Sequence, residues 1–186
     1  MATNQLIIGI VGMPGSGKST VADHFVKKYK AGKVHLGDFI WQWLGRRGIK
    51  PSEETGNMAA LYMWVEYGDI PLAQWAYDQT KKSKAKIILL DSLRTLEEAR
   101  FFQLKFGDKF HIVAVLASPA ARLHRIQKRA RFGPLSKLEF RVRDREELRL
   151  GVGDLIASSN HYIDANQAIP KVEKQVDELV KHLRSL

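Results

Sequence analysis

The chain contains no cysteine. Disulfides, zinc–thiolate centres, iron–sulfur clusters and thiol nucleophiles are excluded by that alone, and a reducing cytoplasm is a compatible location. Proline is sparse, at 6 of 186 residues, which rules out a collagen-like or proline-rich composition. No apolar run approaches the ~20 residues of a membrane helix, so no membrane partner is expected. The longest early run, Leu6 to Met13, is short and holds glycine. It follows no basic segment and precedes no small-residue cleavage site, unlike a secretion signal. The 6 histidines show no metal-ligand spacing and no H-E-x-x-H. No nucleophile-elbow motif supports a Ser-His-Asp hydrolase. Internal repeats and low-complexity linkers are lacking too.

What remains is the composition of a globular chain, 45% hydrophobic and 27% charged. A length of 186 residues fits one domain, and folding would bury roughly 70% of the surface that the unfolded chain exposes. Lys and Arg number 30 against 20 Asp and Glu, a net charge of +10. Such a balance favours anionic partners, whether nucleotides, nucleic acid or acidic surfaces.

Apolar, β-branched runs alternate with helical periodicities along the chain. Leu6–Val11, Ile87–Leu90 and Phe110–Leu116 read as buried parallel strands. Weaker strands are expected at Lys33–Leu36 and Tyr162–Ile163. Helices are expected at 18–29, 95–106, about 118–130 and about 136–150, with an amphipathic one carrying Val172, Val176, Leu179, Val180 and Leu183. Residues 38–82 read as helical and irregular, broken by glycine and proline. This alternation argues for an α/β domain with a parallel sheet covered on both faces. The segments 38–82 and about 130–140 read as insertions above the strand ends.

The strongest motif is Gly12-Met13-Pro14-Gly15-Ser16-Gly17-Lys18-Ser19, the pattern G-x-x-x-x-G-K-[ST]. It follows a buried strand and opens a helix, as phosphate binding requires. Gly12, Gly15 and Gly17 let several backbone N–H groups face one anion. Together with Ser16 and Thr20, they place the phosphates at a helix N-terminus. Lys18 would bridge the terminal phosphates, and the Ser19 hydroxyl would ligate magnesium. The competing reading is a plain glycine-rich turn.

Asp91 ends a buried strand, where α/β proteins bind ligands, and is the candidate second magnesium group; otherwise it caps a helix or turn. Arg94, three residues on, would hold a phosphate bidentately or else lie on the surface. Asp38, after Gly37, would position magnesium, take a proton from an acceptor hydroxyl, or cap the next helix. Residues 121–149 hold ten basic side chains, eight of them arginine, against four acids. Around Gly133-Pro134 they resemble a lid closing over transferring phosphates, with Arg125, Arg129 and Arg141 the first candidates. Several of the others belong to a solvated helix face. All four tryptophans lie between Trp41 and Trp75. They either stack an acceptor or, the favoured reading, form the core of a helical lobe.

IVGMPGSGKST, Gly37-Asp38, DSLRTLEEARFF, the arginine helix after Ser118-Pro119 and RDREELRLGVGDLIASSNHYI span nearly the whole chain. In these stretches the sequence resembles the nucleoside-monophosphate-kinase group of P-loop kinases. More closely, it resembles an archaeal family of adenylate-kinase-related and dephospho-CoA-kinase-like proteins. The resemblance implies a three-layer α/β/α domain over residues 1–186 with a five-stranded parallel sheet of order 2-3-1-4-5. It also implies an acceptor-binding insertion near 38–82, a lid near 130–140, ATP as donor and Mg2+ as metal. Asp91 and Arg94 match the acid and arginine of the family's D-G-x-P-R motif, with one residue missing and Ser92 in place of glycine. Trp41 stands where the family's acceptor-phosphate arginine follows Gly-Asp. An aspartate placed like Asp38 acts on a ribose hydroxyl in dephospho-CoA kinases, and Asp164-Ala165-Asn166 falls where such kinases hold the donor adenine. The expectation is ATP-dependent phosphoryl transfer to a small nucleotide or nucleotide-like acceptor. The alternative is a nucleotide-dependent switch that binds RNA or a ribonucleoprotein, whose affinity would fall steeply with salt.

Overall fold

A computed structural model describes residues 5–68, 70–129 and 136–185, and all of their side chains except those of residues 53, 54, 57, 64 and 129. Five parallel strands form one sheet: β1 (Leu6–Val11), β2 (Gly32–His35), β3 (Ile87–Asp91), β4 (Phe110–Leu116) and β5 (His161–Asp164). Their order is β2-β3-β1-β4-β5, as expected. The three inner strands are almost continuously apolar because both of their faces are covered.

Side chains alternate across the sheet, and each set nucleates one core. Ile8, Ile10, Leu89, Val113 and Val115 meet α1 (Lys18–Tyr29) and α9 (Ile169–Leu183) through Phe25, Val172, Val176 and Val180. Ile7, Val11, Ile88 and Leu90 meet α4 (Ile70–Lys82), α5 (Leu96–Phe106) and α8 (Val152–Ala157) through Ala73, Ala76, Phe102 and Leu155. The spacing of 172, 176, 179, 180 and 183 gives α9 its single buried stripe.

The stretch expected to be partly irregular is helical through most of its length. It forms α2 (Gly37–Arg46), α3 (Glu53–Tyr67) and α4. The small core between α2 and α3 is aliphatic, built from Ile40, Leu44, Ala59 and Met63. Phe39 and Trp43 pack against it, so the expected aromatic contribution is met in part. Trp41, Tyr62 and Tyr67 are exposed, while Trp75 and Tyr77 pack against the sheet core instead. On the other side of the molecule lie α6 (Pro119–Arg129) and α7 (Lys137–Arg149). Residues 130–135, the first half of the expected lid, lie outside the described residues.

Strand β2 ends one residue early, because Leu36 already has helical backbone (φ −59°, ψ −34°) as the N-cap of α2, although its N–H still donates to the Asp91 carbonyl at 3.1 Å. His35 thereby pairs with Asp91 across the sheet, and Ile10 pairs with Asp91 from the other side. The carboxyl ends of β1, β2 and β3 are thus level, and the loops that leave them meet at one place.

Candidate active site

Between β1 and α1 the chain makes a tight loop with left-handed backbone at Gly15 (φ 77°) and Gly17 (φ 108°). At Gly15 a Cβ would also stand 2.7 Å from the Arg122 carbonyl oxygen, so no other residue fits there. Gly17 is the N-cap of α1 and has no side chain to occupy the first N–H groups of the helix. They remain available to an anion, which the helix dipole also favours. The Ser16 hydroxyl is buried with no hydrogen-bond partner among the described residues. An orphaned buried donor beside a nest of N–H groups suits a phosphate oxygen.

Lys18 turns back into this loop. Its Nζ donates to the Gly12 carbonyl at 2.6 Å and the Met13 carbonyl at 3.3 Å. Burial pulls the pKa of this ammonium down to about 8; Glu147 and Asp91 oppose the fall, while Arg94 and Arg143 add to it. Ser19 is exposed and Thr20 half-buried in the first turn of α1.

Asp91 is buried at the end of β3. Burial raises its pKa, but His35 and Lys33 outweigh that and bring it down to about 2. Lys33 Nζ lies 2.9 Å and His35 Nδ1 3.4 Å from Oδ2. The carboxylate is therefore ionised at neutral pH. With the Ser19 hydroxyl it supplies hard oxygen donors of the kind Mg2+ takes. Ser92, next in the chain, holds φ 73°, a strained conformation where the resembling family has glycine.

The arginines separate by task. Arg125 donates from Nη1 to the Ser16 carbonyl at 3.0 Å and the Gly15 carbonyl at 3.4 Å, and from Nη2 to the Ala165 carbonyl. It ties the loop to the turn after β5. Arg122 is buried and holds Asp144 of α7 bidentately at 2.7 and 2.5 Å, with Nη1 also on the Pro14 carbonyl at 3.1 Å. The Arg129 side chain lies outside the described residues, and Arg141 is exposed on α7. Phe140, Arg143, Asp144 and Glu147 share the opposite face of α7. Arg143 and Glu147 are the two residues of α7 that act on Lys18.

Arg94 Nε lies 3.6 Å from Glu147, beside Lys18 and across from α7. Asp38 is exposed in the first turn of α2, whose N-cap is Leu36. Lys18, Asp91 and Arg94 come together, and Ser19 follows Lys18 in the chain. Arg141 does not join them. Reading the sequence missed Lys33, His35, Glu147 and the Arg122–Asp144 pair. The helical spacing of 140, 143, 144 and 147 is a signal for the α7 residues; for Lys33 and His35 the signal was the strand order that the resemblance implies, which sets β2 beside β3.

A parallel sheet covered on both faces, with a lysine-bearing anion nest between its central strand and the following helix, defines a P-loop kinase-like domain. Residues 11–139 match the profile of the family described as AAA domain. A UPF0200 protein of Hyperthermus butylicus is 34% identical over 181 residues, spanning 97% of this chain and 96% of the relative. One from Thermococcus onnurineus is 31% identical over 182 residues, spanning 96% and 98%. The chain belongs to the UPF0200 family. Among solved structures, TT1252 from Thermus thermophilus is similar with a TM-score of 0.69 at 18% identity, over 96% of this chain and 97% of that one. Shikimate kinase from Acinetobacter baumannii is similar with a TM-score of 0.59 at 15% identity, over 99% and 95%. At these identities the likeness is one of fold.

Proposed function

We propose that the protein binds ATP with Mg2+ and transfers the terminal phosphoryl group to a small nucleotide or nucleotide-like acceptor. One observation carries the reading: a buried lysine turned into a left-handed glycine nest, level with an ionised carboxylate on the neighbouring strand. In phosphoryl transfer the protein positions groups and stabilises charge, and these are the parts for that work.

Loop N–H groups, Ser16 and Lys18 cradle the β- and γ-phosphates. Ser19 and Asp91 hold magnesium, which when bound neutralises phosphate oxygens. Lys18 leaves the carbonyls of Gly12 and Met13 to reach the phosphates, exchanging neutral acceptors for anionic ones. Glu147 and Asp91 keep its ammonium charged in a buried place. Arg125 fixes the length of the nucleotide pocket and Arg94 faces the acceptor. Helices α2–α4 form the acceptor lobe, with Asp38 at its entrance.

The test is transfer of labelled terminal phosphate from ATP with Mg2+, against nucleosides, monophosphates, dephospho-CoA and short RNAs, with Lys18→Ala alongside. Transfer to one acceptor, lost in the variant, supports the proposal. ATP binding without transfer to any acceptor refutes it in favour of a nucleotide-dependent switch.

A further inference from the structure

The acceptor lobe carries its cations only at its margins: Arg46, Arg47 and Lys50 before residue 51, Lys81 and Lys82 after residue 80. Residues 51–80 contain no Lys, Arg or His at all, yet hold Glu53, Glu54, Glu66, Asp69 and Asp78. A phosphate held in that lobe would need guanidinium or ammonium partners. Arg46 lies eight residues beyond Asp38, about 12 Å further along α2. Arg47 is stacked 3.7 Å over the Trp43 ring. Near Asp91, Lys33 is engaged with Asp91 and Arg94 with Glu147, while Lys18 belongs to the phosphate loop.

What the lobe offers instead is an aromatic surface. Trp41 stands three residues beyond Asp38, on the same side of α2. The benzene end of its indole lies across the backbone of α3 at Gly56. A Cβ placed there would be 2.4 Å from Cη2 and 2.9 Å from Cζ3. The end of the ring thereby packs against α3, and Trp41 as a residue remains 38% exposed. A large apolar ring kept at the surface by a glycine beneath it, beside a carboxylate at the strand ends, is a stacking platform next to a proton acceptor.

We propose that Trp41 is the acceptor platform, and that the acceptor is a nucleoside-like molecule: a planar ring carrying a hydroxyl, with no phosphate of its own. This rests on the phosphoryl-transfer reading for its reaction, but not for its binding. In the transfer, a bond forms from the acceptor hydroxyl oxygen to the terminal phosphorus of ATP. The bond from that phosphorus to the bridging oxygen breaks, ADP leaves with the electron pair, and the hydroxyl proton passes to Asp38.

The experiment compares the four common nucleosides with their 5′-monophosphates in two readouts: equilibrium binding by calorimetry, and transfer from labelled ATP. At least one nucleoside is expected to bind about tenfold or more tightly than its monophosphate. Trp41→Ala should raise that nucleoside's Kd and KM about tenfold, the scale of a lost base–aromatic stack, with kcat and the KM for ATP within about twofold. Trp41→Phe should recover most of the loss. Gly56→Ala, which favours the helix but displaces the ring, should act in the same direction as Trp41→Ala. Tighter binding of the monophosphates, no binding of any nucleoside, or equal effects of Trp41→Ala on nucleoside and ATP would each overturn the proposal. Nucleoside binding that follows this pattern without any transfer of label would sink the kinase reading alone and leave the platform standing.

Discussion

Removing the Asp144 carboxylate tests how α7 is held to the phosphate loop. Arg122 is 4% exposed, and its guanidinium meets both oxygens of Asp144, the Pro14 carbonyl and, 4.9 Å away, the ring of Phe140. Asp144→Ala leaves a buried cation with one neutral acceptor. Stranding one member of such a pair costs about 3–5 kcal/mol, and the partly wetted Asp144 places this case near about 3. In a domain of this size that lowers Tm by about 6–12 °C. Thermal unfolding followed by circular dichroism reads the loss directly. Arg122→Met combined with Asp144→Leu removes both charges and should restore most of it, because an apolar pair of similar volume carries no desolvation penalty. A loss below about 1 kcal/mol in the single variant would mean that water already solvates the guanidinium, and that α7 is held by something else.

Lys18, with a pKa near 8 in the empty loop, must be charged to meet phosphate, so ATP binding at pH 8.5–9 should take up protons. Calorimetry in two buffers of different ionisation enthalpy measures this. Affinity should fall by up to about tenfold per pH unit above 8, and an absence of uptake would show that the ammonium is not buried as described. His111, His161 and His182 form a ring cluster, with centroids 5.6 and 5.8 Å apart, at the end of the sheet away from the loop. Burial first, then the neighbouring histidines, hold His111 and His161 below their ordinary pKa. The unfolded chain therefore binds more protons, and stability present above about pH 6.5 is lost as the pH falls through the folded values. His161→Gln should flatten the fall of Tm between pH 7.5 and 5; an unchanged slope would place the titrating groups elsewhere. Gly15→Ala forces an L side chain to φ 77° and against the Arg122 carbonyl. It should cost about 1–3 kcal/mol and abolish ATP binding, as measured by unfolding and calorimetry.

The sheet was legible because its inner strands are buried on both faces and must be apolar throughout. The loop was legible because its glycines, lysine and serine each have a separate physical reason to be there. Thr95-x-x-Glu98 and Ser136-x-x-Glu139 mark the starts of α5 and α7, and both form reciprocal capping boxes. The partners of Asp91 were not legible. Lys33 and His35 lie on an edge strand of four residues; the strand order that the resemblance implies sets it beside β3, but no local pattern gives the register that brings them to Asp91. The arginine helix was legible as charge but not as geometry. Arg122 and Arg125 differ by less than one helical turn, yet one is buried against a carboxylate and the other reaches across the loop to three carbonyls. The position of the aromatics was legible only in part, Phe39 and Trp43 packing on the lobe core and Tyr62 and Tyr67 lying exposed: α3 is apolar on several sides, so composition alone does not say which side faces inward.

The bridge made by Arg125 has a mechanical consequence. One rigid, planar fork spans from the loop that would grip phosphates to the turn after β5. The two ends of a bound nucleotide would rest on surfaces whose separation is set by the size of a guanidinium, as by a gauge block. A lysine at 125 could reach either surface but would not fix the interval between them, because a single ammonium on a flexible stem has no breadth. The loop and the turn therefore form a bed of constant span.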